Sequence, residues 1–159
     1  MTATQTMAAS LDTPWLSAEQ QRVWRSYLLG TARLTAQLDA NLREFGLDLG
    51  EYEILVQLSE SPDRRARMSE LAEAVHQSRS RLTHTVGRME HAGLVERVNC
   101  PTDRRGVWAS LTDDGFRLLE LAAPAHVRSV RQYVLEAMSA EDYAALGRAF
   151  AAVADACST

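Results

Sequence analysis

Residues 68–112 constrain the fold of this 159-residue chain more than any other stretch of its sequence. A short helix is predicted first, with one apolar face formed by Leu71, Ala72 and Val75. A tight turn and a second helix follow. Two strands are then predicted over residues 94–98 and 107–111, because apolar and polar residues alternate there. A helix, a turn, a helix and two strands around a loop, in this order, predict a winged helix-turn-helix.

The second of these helices carries polar side chains on its outer face. Ser78 is placed to cap it, Gly93 is placed to end it, and its buried stripe is formed by Leu82, Val86 and Met89. The outward side chains are Ser78, Arg79, Ser80, Arg81, Thr83, His84 and Arg88. Arginine can read guanine with two hydrogen bonds, and serine and threonine reach base edges or phosphates. These residues are predicted to contact DNA, although on this helix alone a solvated basic surface would be favoured.

The loop between the two strands, residues 99–106, is predicted to be the wing. Asp103 lies two residues before Arg105, so its carboxylate can orient that guanidinium for insertion into a narrow minor groove. Arg104 is placed to neutralise a phosphate. A charged turn is the alternative, since Asp and Gly are common in turns for backbone reasons. The position between two predicted strands favours the wing.

The chain just before the first helix is also basic. Residues 63–67 are predicted to form a loop with three arginines, and Ser69 is predicted to cap the helix that follows. Arg67 and Ser69 are candidate phosphate contacts. A solvated loop is an equally good interpretation of this stretch.

Six short segments together resemble the MarR family of bacterial transcription regulators. They are residues 69–72 (SELA), 80–83 (SRLT), 88–90 (RME), 93–97 (GLVER), 103–106 (DRRG) and 111–115 (LTDDG). The resemblance implies a homodimer with a triangular α-helical body and two winged helix-turn-helix lobes. By similarity, Arg105 would be the minor-groove arginine and Asp103 its orienting partner. Several family members respond to phenolic or other small ligands, and some sense oxidants through cysteine.

A long helix is predicted before this lobe, from about residue 17 to residue 45. It opens on a capping box at Ser17 and Gln20, and a second capping box at Asp48 and Glu51 begins the next helix. The first helix is about twice the usual length, so part of its apolar stripe is expected to pack on a partner chain. Three residues of that stripe are also the candidates to line a ligand pocket, with core packing as the favoured alternative. They are Trp24, Tyr27 and Leu28.

Two helices are predicted after the wing. Thr112 is placed to cap the first, in which Pro124 predicts a kink near residues 121–123. Ser139 starts the last helix, whose apolar stripe is formed by Tyr143, Leu146, Phe150 and Val153. The predicted fold is therefore mainly α, with a small antiparallel β-wing and long dimerisation helices.

The predicted organisation is a loose N-terminal arm followed by a single domain. The arm covers residues 1–14 and the domain residues 15–159, with the winged lobe at 48–112 and the dimerisation helices at 15–46 and 113–157. No stretch is apolar enough for a membrane span and the start lacks the features of a secretion signal, so the cytoplasm is the expected compartment.

Charge is distributed unevenly along the chain. The net charge is −4, but residues 64–105 hold nine arginines against five acidic residues, a local balance of +4 that leaves −8 elsewhere. A basic lobe on an acidic body is typical of a specific nucleic-acid binder. The sequence contains no glycine-rich phosphate loop, Ser/His/Asp set or metal-ligand spacing, so no enzyme, cofactor or metal is predicted.

Cys100 is interpreted as an incidental wing residue rather than a redox sensor, because no second cysteine lies near it in the sequence. A metal shared by His91 and Cys100 is a weak further alternative. The leading hypothesis is a homodimer that binds double-stranded DNA, most often as a repressor at a pseudo-palindromic operator, with a possible small-molecule effector. The alternative is a winged-helix module that binds protein and has no specific DNA binding.

Overall fold

The structure is a computed structural model that describes residues 14–99 and 106–158. The chain divides into two compact units, Met1–Leu34 and Thr35–Thr159. The boundary between them falls within the first helix. Among the described residues, the first unit holds the N-terminal part of that helix, and the elements that follow it belong to the second unit.

Helix α1, Ala18–Leu42, begins at the predicted capping box. The Ser17 amide donates to Gln20 Oε1 at 2.8 Å, and the Gln20 amide donates to Ser17 Oγ at 3.2 Å. The helix tightens into a 3-10 turn, Arg43–Phe45, and stops at Gly46, whose φ of 73° favours glycine. The predicted end of this helix is therefore confirmed.

Helix α2, Leu49–Glu60, begins at the second predicted capping box. Asp48 Oδ1 accepts from the Glu51 amide at 2.8 Å, and Glu51 Oε2 accepts from the Asp48 amide at 3.0 Å. The helix buries Tyr52, Ile54, Leu55 and Leu58. These side chains make α2 the centre of the core beneath the helix-turn-helix.

Three short strands form an antiparallel sheet in the order β1-β3-β2. The strands are β1 Arg65–Arg67, β2 Val95–Asn99 and β3 Val107–Leu111. The prediction of a loop over residues 63–67 is wrong for residues 65–67, which form β1. Ala66 is buried there and pairs with Ala109 of the central strand. Three residues with one apolar position are too few to show a period in the sequence.

The helix-turn-helix consists of α3, Met68–Ala74, and α4, Arg79–His91. The predicted Ser69 cap is wrong: strand β1 runs directly into α3, so Arg67 occupies the capping position without a side-chain hydrogen bond and Ser69 lies inside the first turn. The predicted Ser78 cap of α4 is confirmed, with Ser78 Oγ accepting from the Arg81 amide at 3.3 Å.

Helix α5, Asp113–Val130, starts at the predicted cap, where Thr112 Oγ1 accepts from the Gly115 amide at 3.0 Å. The helix continues through Pro124, and the kink expected near residues 121–123 stays a prediction. A π-helical segment, Arg131–Leu135, follows the α-helical part. Helix α6, Ala140–Cys157, starts at Ser139 as predicted.

The hydrophobic core lies in the second unit, between α2, the helix-turn-helix and the sheet. Its largest fully buried side chains are Leu42, Leu47, Ile54, Leu55, Leu58, Leu71, Leu82, Val86, Met89 and Val95. Helix α4 is thus packed on the core along one side and open on the other. Among the described residues, no helix has the length and apolar character needed to cross a membrane.

Candidate nucleic-acid interface

Helix α4 is oriented by its buried stripe and by the turn before it. Leu82, Val86 and Met89 are each at most 1% exposed, as the spacing of the apolar residues predicts. The turn into the helix places His76 in a left-handed conformation with φ of 51°, a region that histidine enters more readily than most residues. The 3.6-residue period then directs the remaining side chains of α4 away from the core.

All seven side chains predicted on the outer face of α4 are exposed, and they share one open surface with Gly87 and His91. Within the part of the chain that the structure describes, Arg79 and Arg81 make no ion pair or side-chain hydrogen bond. Both residues belong to the first turn of α4, and the N-terminus of a helix is itself electropositive. This end of the helix is therefore suited to an anionic ligand.

A groove of about 440 Å³ lies between α4, the start of α3 and the loop end of the strand pair β2–β3. It brings together Arg67 and Ser69, the two candidate phosphate contacts, with Arg79 and Thr83 of α4. Arg97 of β2 also lines this groove, and the sequence prediction missed it. Its position on the outward side of an alternating strand is the one signal that could have identified it.

Arg97 also ties α4 to the sheet. Its guanidinium lies 2.6 Å from Glu90 Oε2, and its amide donates to Glu90 Oε1 at 3.2 Å. The side-chain hydrogen bond from Arg97 is the main cause that lowers the pKa of Glu90 below its ordinary value. Glu90 therefore stays ionised at neutral pH and holds the C-terminal end of α4 against β2.

Arg88 differs from the other arginines of α4 because its guanidinium already binds two carboxylates. Its Nη2 lies 2.8 Å from Asp48 Oδ2 and 2.9 Å from Glu51 Oε1, both at the N-terminus of α2. The hydrogen bond to Glu51 is the main cause that raises the pKa of Arg88. Contact of Arg88 with DNA stays a prediction, and it would require this arrangement to open.

The predicted wing falls outside the described residues. Asp103, Arg104, Arg105 and Cys100 all lie in the undescribed stretch, and their roles stay predictions. The strands that flank the stretch pair as far as Asn99 and Val107. Val107, at the described start of β3, lines the groove together with Arg67 and Arg97.

The three residues predicted for a ligand pocket lie in the first unit. Trp24 and Tyr27 stack with ring centroids 5.3 Å apart, and Trp24 and Leu28 are each about half exposed. That Trp24, Tyr27 and Leu28 line a ligand pocket stays a prediction.

A separate cavity of about 440 Å³ lies in the second unit, among α1, α2, the end of α3 and α5. Tyr52 and His126 contact each other at its wall, with ring centroids 4.5 Å apart and ring planes tilted by 31°, and His126 Nδ1 is buried without a hydrogen-bond partner. Burial lowers the pKa of His126, so the imidazole is neutral at physiological pH. The described residues contain no cluster of three or more His, Cys, Asp or Glu that could hold a metal ion.

Comparison with known proteins places this geometry among transcription regulators. The model of the MarR family matches residues 45–106. The HTH-type transcriptional regulator PecS of Dickeya dadantii (strain 3937) is 33% identical over 106 residues, which cover 66% of this chain. The aligned part spans 63% of the length of PecS.

Two solved structures from Streptomyces coelicolor are similar over nearly the whole chain. AbsC, a MarR family transcriptional regulator, is 46% identical with a TM-score of 0.87, and the match covers 91% of this chain and 98% of AbsC. Sco3205, a MarR family transcriptional regulator solved in complex with DNA, is 45% identical with a TM-score of 0.88, and the match covers 91% of each chain.

Proposed function

Because the chain belongs to the MarR family of transcriptional regulators, we propose that it is a homodimeric, sequence-specific DNA-binding repressor. The observation that carries the proposal is the exposed face of α4, where Arg79 and Arg81 stand without ion-pair partners among the described residues. The relatives are regulators rather than enzymes, in agreement with a binding role. Sco3205 was solved with DNA, and the same ligand class fits this face.

In the proposed complex, helix α4 enters the major groove with its N-terminal residues toward the bases. Arg79 and Arg81 have the geometry to read guanine, while Ser78, Ser80, Thr83 and His84 reach base edges or phosphates. Arg67, Ser69 and Arg97 line the adjoining groove and would follow the DNA backbone. Arg105, oriented by Asp103, would enter the minor groove, and Arg104 would neutralise a phosphate.

The proposed dimer uses the apolar faces that the chain leaves uncovered. Val23, Trp24 and Leu28 of α1 are each about half exposed or more. Tyr143, Leu146, Phe150 and Val153 of α6 are also exposed and follow one another at steps of three and four residues. Helix faces with several exposed apolar side chains mark association sites on soluble proteins, and a two-fold dimer would pair the same faces of two copies. We therefore assign homodimerisation to α1 and α6.

Replacing Leu146 and Phe150 together with glutamate is expected to leave a folded monomer of 17.6 kDa instead of a dimer of twice that mass. Two charges from each protomer would have to be buried in the apolar interface, which costs far more than the contacts provide. Multi-angle light scattering would measure the mass. Arg148→Glu is the matched control, because at 100° per residue Arg148 lies on the opposite face of α6. A double variant that stays dimeric would remove α6 from the interface.

A small-molecule effector is a further part of the proposal, and the cavity beside Tyr52 and His126 is its candidate site. About 440 Å³ is within the range of ligand pockets, which runs from roughly 300 to 1,000 Å³. The unpartnered His126 Nδ1 could hydrogen-bond to a bound molecule. A ligand here would release DNA only if it bound the DNA-free conformation more tightly than the DNA-bound one.

Selection from a random-sequence duplex library, followed by mobility shift at two salt concentrations, tests the function. We expect a pseudo-palindrome with half-sites about 10 bp apart, centre to centre, since two α4 helices would read successive turns of one face. The selected duplex should bind more tightly than a scrambled one, and its affinity should fall steeply with salt. Equal and weak binding to both duplexes would favour a winged-helix module that binds protein.

A further inference from the structure

We propose that Arg88 positions helix α4 for DNA recognition by binding the two carboxylates that cap helix α2, and that it does not itself contact DNA. The inference rests on the proposed DNA-binding function and reassigns one residue within it. On the sequence alone, Arg88 belonged with the outward arginines. The contacts of its guanidinium separate it from them.

The two capping carboxylates divide their oxygens between two tasks. Asp48 Oδ1 and Glu51 Oε2 accept the backbone amides of the capping box, at 2.8 and 3.0 Å. The other two oxygens, Asp48 Oδ2 and Glu51 Oε1, accept from Arg88 at 2.8 and 2.9 Å. Arg88 Nε adds a bond to Glu51 Oε1 at 3.3 Å. Each carboxylate is therefore engaged at both oxygens, and Arg88 completes the cap of α2 from a different helix.

The N-terminus of α2, which Arg88 binds, is itself held by a hydrogen bond to α1. Leu49 follows the cap, and its amide donates to Asp39 Oδ1 in α1 at 3.1 Å. The other oxygen of Asp39 accepts from Arg43 at 2.7 Å. The hydrogen bond from Leu49 is the main cause that lowers the pKa of Asp39, so this carboxylate stays ionised. A continuous set of hydrogen bonds thus runs from α1 through the N-terminus of α2 to Arg88 on α4.

The place of Arg88 along α4 also fits a positioning role. Arg88 lies seven residues after Arg81, which is about 10 Å further along the helix axis. Base reading in this motif comes from the N-terminal part of the recognition helix. On the opposite face of this turn, Val86 is buried in the core, so the ion pairs and the core hold α4 from two sides.

Loss of the Arg88 ion pairs is expected to change the orientation of α4 more than the stability of the fold. The Arg88 and Asp48 side chains are about half exposed, and partly exposed ion pairs contribute little to global stability. A small rotation of α4 would nevertheless move Arg79 and Arg81 away from the bases. Recognition contacts tolerate little displacement, so specific affinity should fall even when the protein stays folded.

The test compares two ways of breaking the same contact. Arg88→Ala removes the cation, and Asp48→Asn with Glu51→Gln removes both anions while keeping side chains that cap helices well. We expect each variant to bind the selected duplex about tenfold more weakly relative to a scrambled duplex, an effect typical of coupling through a packed network. The slope of log affinity against log salt should not change. Combining all three substitutions should add little further loss.

If Arg88 contacts DNA, the changes in affinity and in salt slope should differ from those expected above. The carboxamide variant would then free Arg88 and bind more tightly, and Arg88→Ala would remove one phosphate contact from each protomer and so reduce the salt slope of the dimer by about 1.8. That result, or full affinity in both variants, would overturn the proposal. Arg81→Ala is the control that should change the salt slope or the base preference without disturbing α4.

A measurement without DNA tests the positioning role of Arg88 separately from the proposed DNA-binding function. Residual dipolar couplings of α4 amides should report a changed helix orientation in Arg88→Ala and in the carboxamide variant, but not in Arg81→Ala. An unchanged orientation would refute the positioning role. A wild-type protein without sequence preference would instead refute the proposed function, whatever the orientation of α4.

Discussion

Replacing Gly115 with alanine is expected to destabilise the second unit by about 3 kcal/mol, the upper part of the usual range for overpacking. A Cβ at this position would lie 2.1 Å from the Leu94 carbonyl oxygen and 2.8 Å from Leu111 Cδ1. The carbonyl cannot move away cheaply, because it accepts from the Thr112 amide at 3.2 Å. The start of α5 and the start of β2 would therefore have to separate.

Thermal unfolding at fixed protein concentration would measure this effect, and a fall in Tm on the order of 10 °C is expected for a chain of this length. Gly87→Ala is the matched control. A Cβ there would meet its nearest atom, Arg97 Nη2, at an ordinary 3.8 Å, and alanine favours a helix interior over glycine by about 0.5–1 kcal/mol. A Gly115→Ala protein as stable as the Gly87→Ala protein would show that α5 can shift away from Leu94.

The elements with local signals were predictable from the sequence. Helix caps at Ser17, Asp48, Ser78, Thr112 and Ser139 all lie where side-chain chemistry placed them, because a cap depends on residues only three positions apart. Strand β1 was not predicted, because its formation depends on residues far away in the sequence. Its three residues pair with β3 across more than forty positions, and the pairing leaves no local pattern.

The outer face of α4 was predictable because burial of three apolar residues at helical spacing decides which side chains point outward. What those side chains touch was not predictable. Arg88 and Arg81 carry the same local signal, yet Arg88 binds carboxylates 37 and 40 residues earlier in the chain, while Arg81 makes no ion pair in the described part. Only tertiary packing distinguishes the surroundings of these two arginines.

Removing Arg79 and Arg81 together is expected to abolish specific DNA binding while the fold persists. Both side chains are exposed at the N-terminal end of α4, and the double alanine variant leaves the Leu82 stripe and the Ser78 cap untouched. A bidentate arginine–guanine contact contributes about 1–3 kcal/mol, and the dimer would lose two from each protomer, so affinity for the selected duplex should fall at least about a thousandfold.

The comparison with scrambled DNA separates base reading from phosphate neutralisation. If both arginines read bases, the double variant loses affinity for the selected duplex and keeps most of its weak binding to the scrambled one. If they neutralise phosphates, both affinities fall together and the salt slope of the dimer drops by about 3.6, since two arginines are lost from each protomer. A variant with Arg117→Ala and Arg148→Ala carries the same change in net charge away from α4, and it should retain nearly full specific binding. Equal losses in the two variants would mean that overall charge, rather than the surface of α4, determines the affinity for DNA.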